Sequence, residues 1–177
     1  MNKTKLSMEE LHRISVEEFK HSKKTPIIVV LDNVRSMNNI GSIFRTCDAF
    51  RIEKLCLCGI TATPPNREIN KTALGATESV DWQYYESTLE CVKALKEKGY
   101  KIFSIEQAQN STMLQNFPKE DSPFAIVLGN EVEGVEQNIV DISDNVIEIP
   151  QFGTKHSFNV SVTCGIVLWD FVKKRLN

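Results

Sequence analysis

No apolar run in this sequence approaches the ~20 residues of a membrane-spanning helix, and its start lacks the basic-then-apolar pattern of a secretory signal. Positive charge is not in excess either. Lys and Arg number 21 against 23 Asp and Glu, a net charge of −2, which excludes a wholly basic nucleic-acid binder and leaves room for a local patch. The five cysteines (Cys47, Cys56, Cys58, Cys91 and Cys164) are odd in number and contain no Cys-x-x-Cys, which argues against a disulfide framework and a zinc knuckle. Histidine is confined to His12, His21 and His156, with no two close enough in sequence to suggest a metal site. Also missing are Gly-x-Gly-x-x-Gly, Gly-Lys-Ser/Thr and Gly-x-Ser-x-Gly, the signatures of dinucleotide folds, phosphate loops and hydrolase elbows. A cytoplasmic address is expected, with no membrane and no metal among the partners.

What is present is an ordinary globular composition, 41% hydrophobic and 25% charged over 177 residues, enough for one domain. Residues 1–25 form a short segment apart. Ser7 and Glu10 read as a capping box opening a helix with Leu11, Ile14 and Phe19, followed by Lys20, Lys23 and Lys24. This is either a peripheral helix packed on the domain or a basic arm.

The domain proper is residues 26–177. Ile27 to Leu31 is a continuous apolar, β-branched run, the pattern of a strand buried on both faces. Ile40, Ile43, Phe44, Cys47 and Phe50 then recur at helical spacing. Further strands are expected at 55–58, 80–84, 101–105, 124–128 and 146–149. Helices are expected after Ser87, with Gly99 as the stop, at 135–142, and from about Asn159 to Lys174. Strand and helix alternate, which predicts an α/β fold: a parallel sheet with helices on both faces. The last helix is apolar nearly all round, from Val160 through Trp169 to Val172. Its second side is covered either by another subunit or by neighbouring elements of the same chain.

In open parallel sheets, ligands bind beyond the carboxyl ends of the strands. Three strand ends carry unusual text: Asp32 to Gly41, with Arg45 expected one turn into the following helix; Gly129 to Gly134; and Pro150 to Asn159. Each alone could be a glycine turn or an N-cap. Together they mark a site. They offer main-chain amides and carbonyls beside apolar walls, which suits an adenosine-like ligand without a long phosphate tail, S-adenosylmethionine better than NAD or ATP.

At these segments the sequence resembles the SpoU/TrmH family of RNA ribose methyltransferases, within the SPOUT class. The matching motifs are Asn39-Ile40-Gly41-Ser42-Ile43-Phe44-Arg45-Thr46, Leu128-Gly129-Asn130-Glu131-Val132-Glu133-Gly134, and Ile149-Pro150-Gln151-Phe152-Gly153 continuing through Ser157-Phe158-Asn159-Val160-Ser161. They occur in the family's order, between about Pro26 and Trp169. Val132 stands where the family often has Gly, and Phe158 where Leu is usual.

The resemblance implies a deep C-terminal trefoil knot, a homodimer with the active site near the subunit interface, and methyl transfer from S-adenosylmethionine to a ribose 2′-hydroxyl of RNA. Leu128, Gly129, Ile149 and Phe158 would hold the cofactor, largely by main chain. Arg45 matches the family's catalytic arginine. A guanidinium stays protonated, so its role is to stabilise developing alkoxide charge, with a substrate phosphate as a candidate proton relay. Asn39, Glu131, Ser157 and Asn159 would orient it and shape the ribose site. The sulfonium is already a good leaving group, so no metal is required.

Residues 86–148 hold 5 basic and 12 acidic residues, leaving 16 against 11 elsewhere. RNA is therefore expected to avoid the middle helices and approach Arg35, Arg45, Arg67, Lys71, Lys155 and the basic tails. The 71–76 segment is expected as a loop near substrate or as a packing feature. Transfer RNA is preferred over ribosomal RNA. Three rivals stand beside this reading: a base methyltransferase of the same fold, a non-catalytic RNA-binding or assembly factor on the same scaffold, and, weakest for want of its fingerprint, a nucleotide-binding redox enzyme.

Overall fold

In the computed structural model, which describes residues 3–7 and 9–176, the apolar run at Ile27–Leu31 lies in the middle of a sheet. It forms β1 (Thr25–Asp32), paired in parallel with β2 (Ile52–Cys58) on one side and β6 (Phe124–Leu128) on the other. The sheet continues through β4 (Lys101–Ile105) and β7 (Asn145–Glu148), and its edges are β3 (Trp82–Tyr85) and the two-residue β5 (Thr112–Met113). The order is β3-β2-β1-β6-β4-β7-β5, and all pairs are parallel.

Alternate residues of the central strands feed two cores. Ile27, Val29, Leu31, Phe124 and Ile126 face α2 (Met37–Ala49), α3 (Arg67–Ala73) and α7 (Val160–Leu176). Ile28, Val30, Ala125 and Val127 face α5 (Thr88–Glu97) and α6 (Gln137–Ile142). Two-sided burial is why these strands carry no polar alternation. The first core is closed by an aromatic group, with Phe124 4.6 Å from Phe171 and Phe103 5.1 Å from both Phe117 and Phe124. Among the described residues no helix is long and apolar enough to cross a membrane.

Several boundaries differ from the sequence expectation. The Ser7–Glu10 box does close, but the turn behind it ends at His12 in left-handed backbone (φ +45°). The helix starts afresh as α1 (Val16–His21) under a second box, Ser15–Glu18. Phe19 anchors α1 in the core, and the Lys24 ammonium covers the Phe19 ring and donates to the Phe19 and Lys20 carbonyls. Lys24 thus satisfies the last carbonyls of α1, whose C-cap residue is Ser22.

The 71–76 segment is not a loop. Asn66, whose side chain accepts from Glu68 and Ile69 (2.9 and 3.3 Å), starts α3, and a short α4 (Ala76–Ser79) follows Leu74 and Gly75 in left-handed backbone. The third strand begins at Trp82 rather than Val80, because Val80 is buried at the end of α4. α6 starts at Gln137 rather than Val135, since the amides of Val135 and Glu136 are taken by the side chains of Glu106 and Asp32. α2 starts earlier than its apolar stripe, under Ser36, which places Arg45 in its third turn rather than one turn in.

Candidate active site

Because all the strands run the same way, the polar segments that follow β1, β4, β6 and β7 emerge on one edge of the sheet. Between the last three lies a cavity of about 450 Å³. Leu128, Gly129, Ile149 and Phe158 contribute to its wall, as do Glu131, Ser157 and Asn159. Ser157 is exposed there, and Phe158 is partly so.

The 129–134 loop folds back on itself. Asn130 and Gly134 exchange both main-chain hydrogen bonds at 3.0 Å, and the Asn130 side-chain oxygen accepts the amides of Val132 and Glu133 (2.8 and 3.1 Å). The Asn130 side-chain nitrogen donates to the Asn33 carbonyl at 2.7 Å, fastening the loop to the end of β1. Glycine is needed at 129 because a Cβ there would stand 2.1 Å from the Gly134 carbonyl carbon.

Glu131 joins the loop to the start of α2. Its carboxylate accepts the amides of Arg35 and Ser36, both at 3.0 Å, and the Asn39 side-chain nitrogen at 3.1 Å. Partial burial works against its charged form, but those donors outweigh it and hold the carboxyl below the usual carboxylate range. Asn159 completes the set. Its side-chain oxygen caps α7 by accepting the amides of Ser161 and Val162 (2.9 and 3.4 Å), while its nitrogen donates to Asn39 at 3.1 Å. The N-cap role and the link to the first motif coexist in one side chain.

Beneath this network Asp32 is fully buried at the end of β1. It accepts from Thr88 at 2.5 Å and from the Glu136 amide at 2.8 Å, which tie the strand end to the starts of α5 and α6, and from its neighbour Asn33 at 3.0 Å.

Arg45 lies elsewhere. It is exposed on α2, clear of the buried Ile40, Ile43, Phe44 and Cys47, and has no ion-pair partner among the described residues. It lines a second, open depression of about 540 Å³ with Ser42, Thr46, Phe50, Lys71 and Thr72. Lys71 is there but paired with Glu68 at 2.7 Å. Arg35 and Lys155 are exposed, Arg35 being tied to the network only by its main-chain amide. Gly41 lets α3 approach α2, since a Cβ would come 2.2 Å from the Ile69 carbonyl oxygen. That fixes Lys71 and Thr72 beside Arg45.

Comparison with known proteins decides the family. The model of the SpoU rRNA methylase family matches residues 26–169. The chain belongs to this family. Among its relatives, a tRNA (guanosine(18)-2′-O)-methyltransferase of Aquifex aeolicus is 34% identical over 166 residues, covering 90% of this chain and 75% of the relative. A 23S rRNA (guanosine-2′-O-)-methyltransferase RlmB of Vibrio parahaemolyticus is 30% identical over 167 residues, covering 94% and 67%. The crystal structure of the A. aeolicus TrmH/SpoU tRNA modifying enzyme superposes with a TM-score of 0.81 at 27% identity, over 91% of this chain and 82% of that one.

Three polar cavity residues lie outside the expected segments: Thr163 on α7, and Glu106 and Gln107, which follow β4 directly. The signal was available, since a polar pair behind a buried strand obeys the same strand-end rule as the three segments that were singled out.

Proposed function

We propose that this SpoU-family protein is an S-adenosylmethionine-dependent methyltransferase acting on a ribose 2′-hydroxyl of RNA, with tRNA preferred over rRNA. The observation that carries the reading is the charge of the cavity. Glu106, Glu131 and Glu133 line it, and among the described residues no Lys or Arg does. A carboxylate-lined pocket opposes a polyphosphate and favours a cation, so its donor set fits a sulfonium and disfavours NAD or ATP. Apolar Leu128, Ile149 and Phe158 on the same wall suit an adenine ring.

When bound, the cofactor supplies a methyl group on a positively charged sulfur. The chain's task is to hold a 2′-oxygen in line with that methyl and to favour loss of its proton. The Asn39–Glu131–Asn159 network fixes the start of α2 against the cofactor loop, and so fixes where Arg45 stands. Arg45, without an ion-pair partner among the described residues, stabilises the developing alkoxide. Ser157, exposed on the cavity wall, contacts the ribose. Lys71, Arg35 and Lys155 meet phosphates.

The same proposal includes a C-terminal trefoil knot, a cytoplasmic location and a homodimer formed through α7. Val162 and Trp169 are exposed on α7, and Trp169 stacks on Phe50 at 6.3 Å, a residue of the Arg45 depression. A second copy covering Trp169 therefore adjoins Arg45. For the RNA, the tRNA-modifying relative is the more similar of the two described and is covered more fully.

The test is calorimetry with S-adenosylmethionine, followed by transfer of labelled methyl to unmodified tRNA and rRNA and digestion to nucleosides. Cofactor binding with label recovered as a 2′-O-methyl nucleoside from tRNA is expected. Absence of cofactor binding at millimolar concentration sinks the reading.

A further inference from the structure

The Glu106-Gln107 pair lies outside all three motif segments, yet it touches both loops that frame the cavity. One Glu106 carboxylate oxygen accepts the Val135 amide at 3.0 Å, at the far end of the 129–134 loop, and the other accepts the Gln107 amide at 2.8 Å. Gln107 then reaches the opposite way, its side-chain nitrogen donating to the His156 carbonyl at 2.6 Å. The β4 end itself is held by the Glu106 amide donating to the Ile147 carbonyl at 3.1 Å. Gly134 has φ +73°, and a Cβ there would stand 2.3 Å from the same Glu106 oxygen that serves Val135. The carboxylate is therefore seated directly against the loop's backbone.

We propose that Glu106 and Gln107 are positioning residues, a two-sided clamp that sets the spacing between the 129–135 and 151–158 loops and thereby the affinity of the cavity for its ligand. The inference rests on the cofactor reading above for the ligand's identity, but not for the clamp itself. Glu106 fastens one loop and Gln107 the other, so removing each releases a different wall. A residue that only stabilised the fold would loosen both walls together.

The experiment uses the full chain with Glu106→Ala, Glu106→Gln and Gln107→Ala. Amide hydrogen exchange without cofactor is read by mass spectrometry, beside calorimetric binding of S-adenosylmethionine. Glu106→Ala is expected to speed exchange across 130–136 and Gln107→Ala to speed tryptic cleavage after the exposed Lys155, each leaving the other loop and the β1 and β6 amides unchanged. Each is expected to weaken cofactor binding about tenfold, ~1.4 kcal/mol, while the KM for RNA stays unchanged. Glu106→Gln retains one acceptor and is expected to fall between wild type and Glu106→Ala. Unchanged exchange across 130–136 with unchanged cleavage after Lys155, or a uniform rise in exchange across the chain, overturns the clamp. If Glu106→Ala does not fold, Gln107→Ala, on an exposed side chain, still decides. Wild-type protein that binds no cofactor overturns the functional reading alone, and the exchange pattern still judges the clamp.

Discussion

The Asn159 side chain donates to that of Asn39 at 3.1 Å across 120 positions of sequence. Asn39 in turn donates to Glu131, so one residue from each of the three motif segments stands in a single chain of hydrogen bonds. The chain ties the start of α7, the start of α2 and the 129–134 loop, the elements that surround the cavity and carry Arg45. Its members are surface residues, which places their value in geometry more than in stability. Each exposed bond contributes at most about 1 kcal/mol, but a start of α2 displaced by an ångström relocates every group that the helix presents.

Glu131 gives this network a pH dependence. Its carboxyl is held below its ordinary value of 4.5, so the charged form is favoured in the folded state. The stabilisation is complete above the unfolded value and is lost as pH falls through the lower folded value. Glu131→Gln is therefore expected to cost up to about 1 kcal/mol near pH 7, after allowance for solvent screening, and less near pH 3, below the ordinary carboxyl value. Urea unfolding of both proteins at the two pH values checks it. An equal difference at both removes the carboxylate from the account.

The two glycines of the loops part company under substitution. Gly129→Ala forces a Cβ to 2.1 Å from main-chain carbon, which no rotamer change can relieve, and is expected to cost about 2 kcal/mol or more and to abolish cofactor binding. Gly153→Ala meets nothing within 4 Å and is expected to be neutral within ~0.5 kcal/mol. Thermal melts and calorimetry read both. Equal effects would show that the close approach of Gly129 to Gly134 does not matter.

The sequence made the central sheet legible because burial on both faces leaves a plain trace: Ile27 to Leu31 and Phe124 to Leu128 are apolar without interruption. It made the site's three segments legible because parallel strands must deliver their ends to one edge. It did not show α3, α4 or β5. The first depends on Asn66 as a cap and carries only two buried apolar residues, Ile69 and Ala73, and the others are too short to have a period. Nor could it show which polar groups meet. Asp32 and Glu136 are 104 residues apart, as remote as Asn39 and Asn159, and only the folded sheet makes them neighbours. Arg45 was legible as an exposed residue on α2 and illegible in its setting, a depression apart from the cavity.

Trp169 tests the proposed dimer. It is 52% exposed on a helix whose other face is buried against the sheet, and it stacks on Phe50 with the ring planes inclined by 29°. Trp169→Glu is expected to give a folded monomer, less stable by about 1 kcal/mol from the lost stacking, with methyl transfer reduced together with dimer content. Light scattering across a concentration series reads the mass. An unchanged dimer moves the interface away from this face of α7.

Arg45 carries the chemical proposal. Its side chain packs on nothing in the core and lines no wall of the cofactor cavity, so truncating it leaves both intact. Arg45→Ala is expected to fold, to dimerise and to bind S-adenosylmethionine like the wild type. Methyl transfer is expected to fall about 100-fold or more, the order of losing a preorganised charge stabiliser. Arg45→Lys keeps the charge but not the planar fork, and is expected to recover little. Because Arg45 and the cavity are separate features of one chain, the loss in a dimer should also be partly repaired by mixing. Heterodimers of Arg45→Ala with a cofactor-site variant such as Gly129→Ala restore transfer if the arginine of one copy serves the cavity of the other. If it serves its own, mixing restores nothing. Single-turnover transfer with enzyme in excess measures every case. Near-normal transfer by Arg45→Ala itself would take the arginine out of the mechanism and leave His156, which lines the cavity, as the next group to replace.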